Sequence, residues 1–341
     1  MTIKVMASGM VTCVGFNAPA SCTAIRAGIS GIDEIPYTEY IGGDDYLRGG
    51  KVALPQWYDG INKLADMVSP AIDECLRTVP SSQWHQIPIL LGTRLQDTPN
   101  LPSYRMYELL HQIELRLQLP HHQFSQLLSY GQTSGVYALQ LAKSLMTEHQ
   151  LPYCIVAGVD SYLDRHVVQH YLDKNRLLCS SQSNGFLPGE AGSAVLVMLS
   201  NKKQAGLHIL GIGQASEPAP YLSEKPFMAQ GMTQAIRLAK EQSNIKLGNV
   251  LYSLSDISGE RYKFKEFSYA NGRFNSPEEC VSPDPWTPTE FIGETGAAII
   301  PILLGVALDA NLNSYAPSRE VLIHVGNDND ERAALLLKYQ E

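Results

Sequence analysis

What the 341-residue chain has little of narrows it first. Its six cysteines, Cys13, Cys22, Cys75, Cys154, Cys179 and Cys280, show no C-x-x-C spacing, and several lie in apolar contexts such as Tyr153-Cys154-Ile155-Val156. That scatter argues against a zinc ribbon or a disulfide framework and predicts reduced core residues. Charge is sparse, at 18% of residues and a net -8, and no basic run exceeds Asn201-Lys202-Lys203. Sequence-independent binding to nucleic acid or an anionic membrane needs clustered Lys and Arg, so neither partner is expected. Long apolar runs are also missing. The most apolar stretch, Ala297 to Ala310, is too short to span a bilayer and carries Pro301 and Gly305, with Glu294 just ahead. It predicts a helix buried on all sides inside a protein of cytoplasmic type.

The N-terminus loosely imitates a signal peptide, with Lys4, the apolar stretch Val5 to Phe16 and Ala18-Pro19-Ala20. Ser8, Gly9, Thr12 and Gly15 interrupt it, and a strand followed by a glycine turn accounts for them. No phosphate-binding glycine fingerprint is present, so no cofactor is expected. Gly158, Gly185, Gly189 and Gly293 are read instead as sites of close packing or positive φ.

Some elements recur in order. Each half opens on an apolar run broken by Gly: Val5 to Gly15, then Leu207 to Gly213. A Gly-x-Thr element next opens an apolar helix, Gly131-Gln132-Thr133 before Val136 to Met146 and Gly293-Glu294-Thr295 before Ala297 to Leu308. An apolar strand closes each half, Gly189 to Leu199 and Asp330 to Tyr339. The recurrence predicts two pseudo-symmetric halves, 1–200 and 201–341, joined by the polar stretch Leu199 to Gly206. Continuous apolar runs at Ile87 to Gly92, Cys154 to Val159 and Val321 to Gly326 read as strands buried on both faces. Helical patterns at Trp57 to Arg77, Tyr104 to Leu119 and Met232 to Gln242 alternate with them, which predicts a layered α/β architecture.

Several motifs resemble those of the thiolase-fold β-ketoacyl synthases. Ser8 to Gly15 followed by Ala24 to Ile32 is similar to that family's opening strand, glycine turn and first helix. Ile155-Val156-Ala157-Gly158-Val159-Asp160 resembles the strand that follows its nucleophile helix. Most specific is Ser183 to Val197, similar to the family's Asp-Gly-Phe-x-x-Gly-Glu-Gly-Ala signature. The resemblance implies a five-layer αβαβα fold, a homodimer, and an acyl site where the halves meet. In active members a Cys sits on a tight turn at the start of a buried helix, where exposed N-H groups and the helix dipole lower its pKa and hold an oxyanion.

Carried over to the segment Leu128 to Leu139, the Cys position falls on Gln132, which cannot be a nucleophile. The family's His-Gly-Thr segment falls within Ser253 to Tyr262 and its second supporting residue within Ile292 to Ala298, yet no histidine occurs between His208 and His324. Glu294 stands in the second segment. Some loading ketosynthases carry Gln at the Cys position and decarboxylate malonyl thioesters, and chain-length-factor partners carry Gln too, but the loading domains keep their histidines. The resemblance therefore implies a catalytically inactive binding scaffold, with Gln132 and Glu294 as degenerate active-site positions. The chain is also similar to a compact group associated with type VI secretion gene clusters. That likeness implies an adaptor or chaperone for a secreted effector or a PAAR-type spike protein. The alternative is a surviving acyl-thioester enzyme, either a Gln-type malonyl decarboxylase or a Glu294-dependent hydrolase or acyltransferase.

Other candidates read as structural. His166 and His170 are spaced i, i+4, which suits a helix face, but no third metal ligand is evident. His121-His122 reads as a loop, and Asn327 to Glu331 as a polar turn without the spacing of a calcium loop.

Overall fold

The computed structural model describes residues 1–341 apart from 41–44, 56–58, 96–102, 202, 222 and 275–284, and omits the side chains of 103–106. Cys280 and the predicted helix start at Trp57 therefore lie outside the described residues. The first half runs β1 (Thr2–Val11), α1 (Ala18–Arg26), β2 (Ile32–Thr38), β3 (Tyr46–Gly50), α2 (Ile61–Leu76), β4 (Ile89–Gly92), α3 (Ser103–Leu117), β5 (Gln126–Leu128), α4 (Ser134–Glu148), β6 (Cys154–Ser161), α5 (Arg165–Asp173) and β7 (Glu190–Ser200). The second runs β8 (Gly206–Ser216), α6 (Gln230–Ser243), β9 (Ser253–Ser255), α7 (Arg261–Asn271), β10 (Pro285–Trp286), α8 (Thr289–Ile292), α9 (Ile299–Leu312), β11 (Glu320–Gly326) and β12 (Glu331–Gln340).

Strand order in the main sheet is symmetric about one contact. The main sheet reads β10-β9-β11-β12-β8-β1-β7-β6-β4-β5, so each half contributes the same arrangement of strands to either side of the antiparallel β1/β8 contact. The small β2/β3 hairpin stands apart. Three apolar cores follow from this layering. The middle one combines residues of both halves, from Ile3 and Val136 to Ile300 and Leu337, around α4 and α9. One outer core packs α2 and α3 on the first half, and another packs α6 on the second. Outer helices, the β1 side of the sheet, middle helices, the β8 side of the sheet and outer helices make the five layers.

The strands read from apolar runs are buried because helices cover both faces; every residue of β6 is buried. α9 is buried along its whole length except at Asp309 and its last two residues, as its unbroken hydrophobicity predicts. Its Pro301 sits in the first turn, where a missing N-H costs no helical bond. At the middle layer α4 and α9 come very close: a Cβ added at Gly135 would lie 2.5 Å from the Ile300 Cβ. No helix is long and apolar enough to cross a membrane among the described residues.

Candidate functional site

β5 leads into a 3₁₀ turn, Gly131–Thr133, that opens α4. Gly131 has φ +58°, a left-handed conformation that glycine adopts without strain. Ser134 fixes the turn: its hydroxyl reaches the Thr93 and Leu128 carbonyls at 3.1 and 2.9 Å, and accepts the Tyr130 N-H at 3.0 Å. Gln132 is thereby held at the start of a buried helix with 3% of its surface exposed.

The second half has its own turn, Gly296–Ala298, opening α9 from Gly296 at φ +52°. Matching the two turns pairs Gln132 with Ala297. This shifts the alignment of the Gly-x-Thr strings: Gly293, at φ +76°, ends α8 and does not open the helical turn. The Asp160 carboxyl packs directly on that second turn, since a Cβ on Gly296 would fall 2.2 Å from its Oδ2. Arg94 lies 3.0 Å from the Asp160 carboxylate and also donates to the Ser161 carbonyl at 2.8 Å. Burial nonetheless raises the Asp160 carboxyl pKa, with Arg94 and backbone N-H groups opposing.

Glu294 precedes this turn, and the signature loop holds its backbone. Its N-H donates to the Leu187 carbonyl at 2.8 Å, and its carbonyl accepts from Gly189 at 3.0 Å. The side chain points to the junction of the halves. There the Gln132 Nε2 donates to the Tyr162 hydroxyl at 3.3 Å and to the Glu294 Oε1 at 3.4 Å. The Lys263 Nζ lies 3.6 Å from Glu294 Oε2 and 2.7 Å from Asp256 Oδ2. Burial raises the Glu294 pKa against the pull of the Lys263 ammonium. For Lys263, burial works against charge, but Asp256 and Glu294 prevail and hold the ammonium form.

More cross-half bonds surround this centre. Arg176 reaches both Glu260 oxygens, at 2.8 and 2.7 Å, and Asp328 at 2.8 Å. Glu331 accepts from Thr133 at 2.7 Å and from Tyr137 at 2.8 Å, placing a carboxylate at the positive end of α4. The cavity beside Gln132 is about 20 Å³, lined by residues that include Arg94, Asp160, Tyr162 and Asp328. That is room for one water molecule.

The structure brings Gln132 and Glu294 into contact and adds Asp256 and Lys263, which no motif singled out. Lys263 is charged and sits in a helix rich in polar residues, so it reads as a solvated face; instead Lys263 and Glu266 point inward. Asn327 to Glu331 is a turn, and its side chains also bond across the junction, Asp328 to Arg176 and Glu331 to Thr133 and Tyr137. His166 and His170 lie on α5, with His166 exposed. The five described cysteines are unpaired. Glu190 of the signature is itself bound, to Lys63 at 2.7 Å, to the Ser161 hydroxyl at 2.6 Å and to the Val52 N-H at 3.0 Å.

No protein-family model matches the sequence, and no curated protein does. Solved structures, however, match it from end to end. A chain from a ketosynthase in complex with its chain length factor, from Xenorhabdus doucetiae, is 14% identical with a TM-score of 0.74, covering 99% of this chain and 98% of that one. A chain from a type II polyketide acyl carrier protein in complex with its ketosynthase is 13% identical with a TM-score of 0.79, covering 100% and 99%. The ketosynthase from module 6 of the bacillaene synthase of Bacillus subtilis 168 is 12% identical with a TM-score of 0.78, covering 100% of this chain and 72% of that one. These likenesses define the class by fold: an α/β protein with the thiolase-like ketosynthase architecture.

Proposed function

We propose that this protein keeps the ketosynthase fold as a binding scaffold and performs no acyl condensation, with Gln132 and Glu294 as the remnants of the former site. The observation that carries this reading is the contact between them at a site where the cavity beside Gln132 measures only about 20 Å³. An acyl thioester has no volume there, and a neutral amide offers no nucleophile. The surrounding carboxylates and cations are spent on one another across the two halves, a use that stiffens a junction rather than poising groups for proton transfer.

The scaffold's occupant in this reading is a protein. Support comes from the solved relatives, one in complex with its chain length factor and another with an acyl carrier protein. A homodimer is part of the same proposal. The finer assignment, an adaptor or chaperone for a secreted effector or a PAAR-type spike protein of type VI secretion, rests on sequence resemblance. Incubation with malonyl and acyl thioesters should release neither CO2 nor free thiol and leave no covalent adduct by mass spectrometry; any of these products overturns the scaffold reading. Pull-down with the products of neighbouring genes tests the adaptor, and loss of every specific partner counts against it.

One feature favours the hydrolase alternative: burial raises the Glu294 carboxyl above its ordinary pKa, and perturbed buried carboxyls cluster at functional sites. Turnover of a p-nitrophenyl ester that disappears in Glu294→Gln would establish it. The small cavity and the Lys263 contact weigh against that result.

A further inference from the structure

A second cavity, of about 410 Å³, shares no lining residue with the one at Gln132. It opens between α1, α9 and the stretch that follows β10, and its walls include Cys22, Arg26, Trp286, Glu290, Phe291 and Tyr315. This volume falls within the range of small-molecule sites, about 300–1,000 Å³.

Its chemistry is specific. The Arg26 guanidinium lies over the Tyr315 ring at 4.2 Å from its centroid. Among the described residues, Arg26 meets no carboxylate and no hydrogen-bond acceptor. The Tyr315 ring is itself pinned, because its hydroxyl donates to Asp309 Oδ2 at 2.7 Å. Trp286 packs on Tyr252 at 4.7 Å and on Tyr315 at 6.0 Å between ring centroids, yet its indole N-H donates to nothing among the described residues. Arg26 is exposed and Trp286 half-buried, so the cavity presents two donors that are open to solvent and uncommitted to described residues, beside aromatic faces. Glu290 is the opposing charge, but it is exposed and already accepts the Thr287 hydroxyl at 2.5 Å. Cys22 contributes a thiol whose pKa burial raises, which favours the protonated form.

We infer that this cavity binds a compact aromatic carboxylate, its ring against Trp286 and Phe291 and its carboxylate on Arg26 and the Trp286 N-H. An aromatic body suits the flat ring walls, whereas the donors select the anion. Charge-assisted hydrogen bonds to a carboxylate are the strong kind, so losing one weakens binding by about tenfold or more.

The test titrates the whole protein with 2-naphthoate by calorimetry, alongside 2-naphthamide, 2-naphthylmethylamine and decanoate. Saturable binding of 2-naphthoate is expected, at least about tenfold tighter than the amide or the amine. Arg26→Gln alters an exposed side chain and should abolish the preference for acid over amide, while Trp286→Phe keeps a ring and should weaken the acid alone. Circular dichroism and urea midpoints confirm that both variants fold. No saturable binding of 2-naphthoate by the folded protein overturns the inference, as does tighter binding of the amine, which would assign the site to Glu290. Equal binding of decanoate overturns the aromatic assignment, and an unchanged Arg26→Gln overturns the role of the guanidinium.

Discussion

The Gln132 amide and the Glu294 carboxylate, 162 residues apart in the chain, meet at 3.4 Å where the two halves join. Behind Glu294 stands Lys263, which also neutralises Asp256. Removing that ammonium strands two buried carboxylates, and breaking a buried pair by deleting one partner costs about 3–5 kcal/mol. Lys263→Met should therefore lower the urea-unfolding free energy by about that amount. Glu294→Gln should cost less, about 2 kcal/mol or under, because Lys263 keeps Asp256 and the amide can still bond. A Lys263→Met variant within about 1 kcal/mol of the parent would show that the cluster is solvated and not a weld.

Glu294 also carries a pH signature. Its folded pKa is raised, so the folded state holds the proton more tightly than the unfolded chain, and stability falls as pH rises through the folded pKa. The parent should gain on Glu294→Gln as pH drops toward the carboxylate range. Urea midpoints of both proteins from pH 8 to 5 measure that difference; a gap that widens against the parent on acidification would reverse the assigned shift.

Placing a thiol at the start of α4 should not create acyl chemistry. In Gln132→Cys, the helix N-terminus favours the thiolate, but the Glu294 carboxylate disfavours it, and the cavity of about 20 Å³ excludes reagents. Iodoacetamide at pH 7 should modify the introduced thiol far more slowly than it does in the urea-unfolded variant, and malonyl thioester should release no CO2. Rapid labelling of the folded variant would reveal an open acyl site.

The fold was legible where residues are uniform in character. β6 and α9 are buried on all sides, so apolar runs such as Cys154 to Val159 and Ile299 to Leu308 announce them without knowledge of their neighbours. Gln132 was legible because a motif frames it. Lys263, Asp256 and Arg176 were not, since a charged side chain has the same letter whether it meets water or a buried partner, and their partners lie far away in sequence. The pairing of the two helix-opening turns slipped for a related reason. Gly-x-Thr is a string shared by two different backbone conformations, and only the 3₁₀ turns that begin at Gly131 and Gly296 mark the equivalent positions. The β2/β3 hairpin, with Pro36 and mixed polar residues, carries too little period-two signal to stand out.

The crossing of α4 and α9 depends on the missing side chain at Gly135. Replacing glycine with alanine inside a helix ordinarily gains about 1 kcal/mol. Here the new Cβ would meet the Ile300 Cβ at 2.5 Å, and overpacking a filled core costs about 1–3 kcal/mol or more. Gly135→Ala should therefore be net destabilising in thermal and urea unfolding. A stabilised variant would mean that the middle helices can move apart without loss.

His324 supplies the opposite pH sign from Glu294. Its ring is buried in β11, stacked on Phe267 at 5.1 Å, with Nδ1 3.3 Å from the Ser255 hydroxyl and Nε2 without a partner among the described residues. Burial lowers its pKa from 6.5 to about 4, with Lys263 adding to the shift and Asp256 opposing it. The unfolded chain takes up a proton below pH 6.5 that the folded protein refuses until about pH 4, so this residue's stabilising contribution is present above pH 6.5 and is lost as pH falls through that window. The shift corresponds to about 3 kcal/mol in full. His324→Phe removes the titration and keeps a ring against Phe267. The variant should lose less stability than the parent between pH 7 and 4.5, and parallel pH profiles for the two proteins would refute a buried neutral imidazole.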